Sequence, residues 1–149
     1  MQNKPDFIML PHTADIKIRA YGDSRVELFH NALIGMFQSI QPYGPTCTLI
    51  KERVVCTSLS QVRPIHITAP TIDSLLVDFL SEALFLSDIH DEAYFSTSLN
   101  IVTDTECKGQ LLGTPIDGFS VAEIKAVTYH HLTITHHNNS WEADIIFDI

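Results

Sequence analysis

DIKIRAYGDSRVELFHNALIGMFQSI, residues 15–40, changes its period partway along. Ile16, Ile18 and Ala20 alternate with Lys17, Arg19 and Tyr21, the two-residue repeat of a half-buried strand. Gly22-Asp23 then turns the chain. Ser24 followed by Glu27 has capping-box spacing, in which each side chain can satisfy a free backbone N–H at a helix start. From there Val26, Phe29, Leu33, Met36, Phe37 and Ile40 recur at threes and fours, one apolar stripe of a helix, until Pro42-Tyr43-Gly44-Pro45 stops it. A strand with one apolar face feeding a helix with one apolar stripe predicts a layered packing of helix on sheet.

The rest of the chain extends that unit. Thr46–Ser58, containing LIKERVVCT, is rich in β-branched residues and RPIHITA (63–69) alternates cleanly, which predicts two strands with a turn near Ser60. A second helix follows Pro70, with Ile72, Leu75, Leu76, Phe79, Leu80, Ala83 and Leu84 on its stripe and Asp73 in the first turn, where the helix dipole favours a carboxylate. From Tyr94 onward everything reads as strand: YFSTSLNIV, CKGQLLG, AEIKAVTYH, HLTITHH and WEADIIFDI. Asn138-Asn139-Ser140 is a turn by composition and makes the last two an antiparallel hairpin. Two helices and six or seven strands predict an α+β fold: a two-layer α/β sandwich whose mixed, mostly antiparallel sheet is covered on one face by both helices. Residues 1–149 are expected to form a single domain, since neither an internal repeat nor a linker interrupts them.

Composition narrows the function. Apolar residues at 45% and charged residues at 18% indicate a globular chain and argue against disorder. Eighteen acidic against nine basic residues give a net charge of −9, which repels phosphate backbones and disfavours direct nucleic-acid binding; a metal ion or a basic protein partner suits such a surface better. Cys47, Cys56 and Cys107 show no close metal spacing and read as small buried hydrophobes in a reducing compartment. No apolar run is long enough to span a bilayer and the first residues lack a leader pattern, so a soluble, cytoplasmic protein without membrane contact is expected.

The strand WEADIIFDI (141–149) stays apolar to its last residue, where a terminus ordinarily frays. Trp141, Ala143, Ile145, Phe147 and Ile149 share one face, and Asp144, Ile146 and Asp148 the other. The Asp148 carboxylate then lies one residue from the main-chain carboxylate of Ile149, and two such groups repel unless a cation sits between them. A hard divalent ion is the natural answer. Asp15, opening the first strand in PHTAD, is a candidate third ligand, and nearby His12 is expected to donate to local backbone. Of the eight histidines, His130-His131 and His136-His137 are adjacent on strands, where neighbours point to opposite faces, so neither pair is expected to chelate one ion. Lys125 falls on the face of Val127 and Tyr129, where it either snorkels to solvent or meets an acidic group or a phosphate. Neither a phosphate-binding glycine loop nor a nucleophile elbow occurs.

HTADIKIRAYG (12–22), DSLLVDFLSEALF (73–85), EIKAVTYHHL (123–132) and the closing IIFDI, taken together and in order, resemble the archease family. The resemblance implies an α/β sandwich and a non-catalytic role as protein cofactor of RtcB-type RNA ligases in tRNA splicing and RNA repair, promoting ligase guanylylation and multiple turnover. RNA is then met only through the ligase. Carried over by motif, the resemblance implies a metal site of Asp15, Asp148 and the terminal carboxylate of Ile149, taking calcium first and magnesium or manganese otherwise. Lys125 matches the family's functional lysine, and His12 shapes the site. One departure is Lys17, where many archeases carry a smaller or more hydrophobic residue. Competing readings are a metal-dependent phosphoesterase using the same carboxylates to activate water, and a chaperone-like modulator of tRNA methyltransferases.

Overall fold

The structure, a computed structural model, describes residues 4–149. Its elements are β1 (Phe7–Leu10), β2 (Ile16–Gly22), α1 (Arg25–Ile40), β3 (Pro42–Tyr43), β4 (Cys47–Ile50), β5 (Arg53–Cys56), β6 (Gln61–Thr68), α2 (Ile72–His90), β7 (Glu92–Val102), β8 (Glu106–Pro115), β9 (Gly118–Phe119), β10 (Ala126–His137) and β11 (Ser140–Asp148). The α+β class is as expected. The strands, however, divide between a four-stranded sheet in the order β1-β2-β11-β10 and a three-stranded sheet in the order β6-β8-β7, with β3–β9 and β4–β5 as short pairs. Every pairing among the described residues is antiparallel. Among the described residues no helix is long and apolar enough to cross a membrane.

The opening strand and helix form as their periods require. β2 alternates fully buried Ile18 and Ala20 with half-buried Lys17, Arg19 and Tyr21. Ser24 caps α1, its Oγ accepting from Glu27 N at 3.1 Å, but Glu27 Oε1 reaches back to Asp23 N (3.3 Å), one residue before the cap. The reciprocal box forms instead at α2, where Thr71 and Ser74 each accept from the other's backbone N–H at 3.2 Å. Helix α1 is buried around most of its circumference because it touches β1, β2 and β11 of one sheet and β7 of the other. Val26, placed on the stripe by spacing, is 38% exposed; Leu28 and Ala32 fill the core instead.

Three polar residues on α1 are buried and paired: Asn31 Nδ2 donates to Tyr21 O (2.7 Å), Ser39 Oγ to Met36 O (2.7 Å), and Gln38 binds both backbone groups of Val54 at 2.8 Å. The Gln38 contacts seat the β4–β5 hairpin. That hairpin corrects the expected single strand over Thr46–Ser58: Lys51 and Glu52 (φ 50° and 66°) turn the chain in the left-handed region without the Asn-Gly that ordinarily marks such a turn.

AVTYH, the second part of the expected AEIKAVTYH strand, and HLTITHH are likewise one strand, β10, rather than two, with residues 122–125 lying before it. A bulge interrupts its pairing to β11 between Thr128 and Thr133, and His131 sits there at φ 61°. The expected hairpin to β11 is present, turning on Asn138 and Asn139 (φ 50° and 59°). One core runs through both sheets and both helices, with Phe29, Phe37, Phe79, Tyr94 and Phe147 fully buried in it.

Candidate functional site

β11 is an interior strand, paired to β2 on one side and β10 on the other. Phe147 is opposite both Ile16 and Val127, and all three face the core. By strict alternation Glu142, Asp144, Ile146 and Asp148 face outward, opposed on β2 by Tyr21, Arg19 and Lys17 for the first three. Asp15 lies in the bend just before Ile16, and Asp148 is the last residue of β11. Both line a cleft of about 310 Å³ with His12, Thr128, His130, His131 and Ile146. Two carboxylates distant in sequence thus meet at one end of the sheet.

The charges around them are unevenly shared. Arg19 forks onto Asp144 (Nε–Oδ1 2.7 Å, Nη2–Oδ2 3.0 Å), with Glu142 at 3.8 Å, and these carboxylates raise the guanidinium pKa further. That arginine is therefore occupied higher on the sheet. Asp15 has a weaker partner in His12, whose Nδ1 lies 3.5 Å from Oδ2; both side chains are about one-third exposed, at 31% and 33%. The turn presenting them contains Ala14 at φ 67°, a left-handed position that costs a non-glycine residue. Lys17, opposite Ile146, is the cation one step along the same face.

The cleft's oxygen donors, the Asp15 and Asp148 carboxylates and the Thr128 hydroxyl, suit a hard divalent ion. Among the described residues no three His, Cys, Asp or Glu side chains lie close enough together to hold a metal by themselves. An ion here would therefore complete its coordination from main-chain oxygen or water. Ile149 packs its side chain against the core, fixing the main chain beyond Asp148.

Lys125 precedes β10 rather than lying within it; its N–H donates to Asp148 O at 2.7 Å. Lys125 also lines a different cleft, about 460 Å³, with Ser81, Asp88, Phe119 and Glu123, on the side where α2 packs. Its backbone is thus tied to Asp148 while the residue borders the neighbouring cleft. Tyr129, placed on the same face by spacing, also meets α2, donating from its hydroxyl to Asp78 Oδ1 (3.1 Å).

The histidines depart from the alternation rule. The bulge sets the His130 and His131 rings 4.1 Å apart, and both line the cleft of Asp15 and Asp148. Thr128 is the other residue missed by sequence reasoning; only the strand register could have placed it there. His136 stacks on Trp141 at 3.9 Å, a packing role.

Residues 7–149 match the model of the archease protein family (MTH1598/TM1083). A protein archease of Methanosarcina barkeri is 35% identical over 147 residues, covering 94% of this chain and 93% of the relative. One from Pyrococcus abyssi is 30% identical over 145 residues, covering 93% and 94%. The solution structure of Methanobacterium thermoautotrophicum protein 1598 superposes with a TM-score of 0.72 at 25% identity, covering 97% of this chain and 99% of that one. A Thermotoga maritima archease, described as a possible chaperone, shares the fold at a TM-score of 0.61 and 19% identity.

Proposed function

Because the chain belongs to the archease family, we propose that it is a non-catalytic cytoplasmic activator of an RtcB-type RNA ligase, promoting ligase guanylylation and multiple turnover in tRNA splicing and RNA repair. The observation that carries this reading is the meeting of Asp15 and Asp148 in one solvent-open cleft. Together with the main-chain carboxylate of Ile149 they would hold a divalent cation, calcium first and magnesium or manganese otherwise. Such an ion, when bound, supplies charge neutralisation near phosphate oxygens.

The protein's own groups do the positioning. Asp148 ends β11 and Asp15 directly precedes β2, adjoining strands whose neighbouring residues Phe147 and Ile16 are packed in the core, so the core anchors the backbone next to each. His12 orients the Asp15 carboxylate. Lys125 offers a separate cationic contact beside Asp88 and Glu123, suited to an acidic or phosphate group of the partner. The net charge of −9 favours a basic, RNA-binding protein surface over RNA itself.

Single-turnover guanylylation of a cognate RtcB-type ligase tests the reading. The wild-type protein should accelerate it, while Asp148→Asn and Lys125→Ala should each lose most of that stimulation with the fold intact. Full stimulation by Asp148→Asn refutes the role of the acidic pair. Absence of any stimulation by the wild type under calcium, magnesium and manganese refutes the activator reading, and protection of a client from aggregation would then favour a chaperone role of the kind suggested for the Thermotoga protein.

A further inference from the structure

Cys47 and Cys56 are direct cross-strand partners in the β4–β5 hairpin, and their sulfurs are 3.7 Å apart. In the next rung Thr57 N–H donates to Thr46 O at 2.9 Å, so the cysteines occupy a non-hydrogen-bonded position. There the Cα atoms of an antiparallel pair approach to about 4.5 Å, inside the roughly 4.4–6.8 Å that a disulfide spans. Closing the sulfurs to about 2.05 Å therefore needs side-chain rotation and little backbone movement.

Two further contacts hold this register in advance. Gln38 grips both backbone groups of Val54, two rungs away, and the Thr46 hydroxyl is hydrogen-bonded to Thr114 on β8. Both cysteines are half-buried and reachable, whereas Cys107 is fully buried in the core. We propose that Cys47 and Cys56 form a reversible intramolecular disulfide that staples the β4–β5 hairpin when the protein meets a small disulfide oxidant such as glutathione disulfide.

The exchange balances in two steps. The Cys47 thiolate attacks one glutathione sulfur, forming a mixed disulfide and expelling a glutathione thiolate. Cys56 then loses its proton and attacks the Cys47 sulfur, expelling the second glutathione thiolate. One oxidant is reduced to two thiols and one protein disulfide forms. The same balance holds if Cys56 leads; burial, and then its hydrogen bond with Cys47, push the Cys56 thiol up to about 12.

The test uses the full chain, reduced, freed of reductant and incubated with excess glutathione disulfide, followed by alkylation in denaturant and intact-mass analysis. A mass two hydrogens below the reduced protein, one alkylated thiol at Cys107 and a proteolytic linkage joining residues 47 and 56 are the expected results. Closure should be at least about tenfold faster in the folded protein than in urea, because the sulfurs are held together. Cys47→Ser and Cys56→Ser should each stop at a glutathione adduct or remain free, and Cys107→Ser should still close. Circular dichroism confirms that each variant folds, with alanine replacing serine where it does not. A persistent glutathione adduct on the wild type, linkage through Cys107, a disulfide-linked dimer, or closure no faster than in urea would each overturn the proposal.

Discussion

Replacing Asp148 by asparagine should change the sign of its effect on stability according to whether calcium is present. Asp15, just before β2, and Asp148, ending β11, line one cleft; carboxylates as close as paired neighbours on adjacent strands are about 5 Å apart. Two unit charges at that spacing in water repel by about 0.8 kcal/mol, and physiological salt reduces this to about 0.5 kcal/mol. In chelator the variant should therefore be more stable than wild type by about that amount, a rise in melting temperature of about 1–2 °C for a chain of this size. Calcium at a hundredfold excess over its dissociation constant stabilises the wild type by about 2.7 kcal/mol. If losing one carboxylate weakens binding about tenfold, the same calcium stabilises the variant by only about 1.4 kcal/mol. The order inverts, leaving the variant about 1 kcal/mol less stable and melting about 2–4 °C lower. Differential scanning calorimetry of both proteins, in chelator and in calcium, reads all four values. A variant less stable in both conditions would show that Asp148 has a structural partner and would refute the repulsion argument; parallel shifts on adding calcium would refute the ion.

Lys17 is one alternate residue, about 7 Å, along the same face from the acidic pair, so Lys17→Met should tighten calcium binding about twofold through the screened loss of one positive charge. Titration calorimetry showing unchanged or weaker binding would count against it. Glu92, only 3% exposed, is held by Arg63 (2.9 and 2.7 Å) and the Tyr94 hydroxyl (2.8 Å), and Arg63 depresses its carboxyl pKa below the usual range. A depressed carboxylate contributes stability above its unfolded pKa and loses it as pH falls through the folded one. Glu92→Gln should therefore cost stability at neutral pH and flatten the acid limb of the denaturation profile below about pH 4.5; an unchanged acid slope contradicts this. Gly22→Ala would put a methyl group 2.4 Å from Leu28 N and 2.8 Å from its Cα, against helix backbone that cannot rotate aside, so chemical denaturation should show a loss of about 1–3 kcal/mol.

What the sequence made legible was local. β2, both helix starts and the final hairpin follow from spacing and turn chemistry because each is decided within a few residues. The β4–β5 hairpin was hidden because Lys51-Glu52 is no turn signal, and one long β10 looked like two strands because a bulge erases alternation. The same bulge overturned the expectation that His130 and His131 point apart. The site was partly readable: Asp148 stood out as a charge in an apolar terminal strand, but its meeting with Asp15 depends on the β2–β11 register, which no local pattern encodes. Lys125 was expected within a strand; its place just outside β10, opening toward α2, is a tertiary fact.

The strand order β1-β2-β11-β10 also has consequences for synthesis. Arg19 and its partner Asp144 are 125 residues apart, so the inner edge of β2 emerges from the ribosome long before the strand that will cover it. Until then one row of amide and carbonyl groups is open, a template for wrong pairing. Helix α1 can already cover the apolar face of β2, so the nascent chain hides its greasy side early and its edge late. Slow refolding of the full chain is therefore expected, since pairing β11 with β2 closes a long loop.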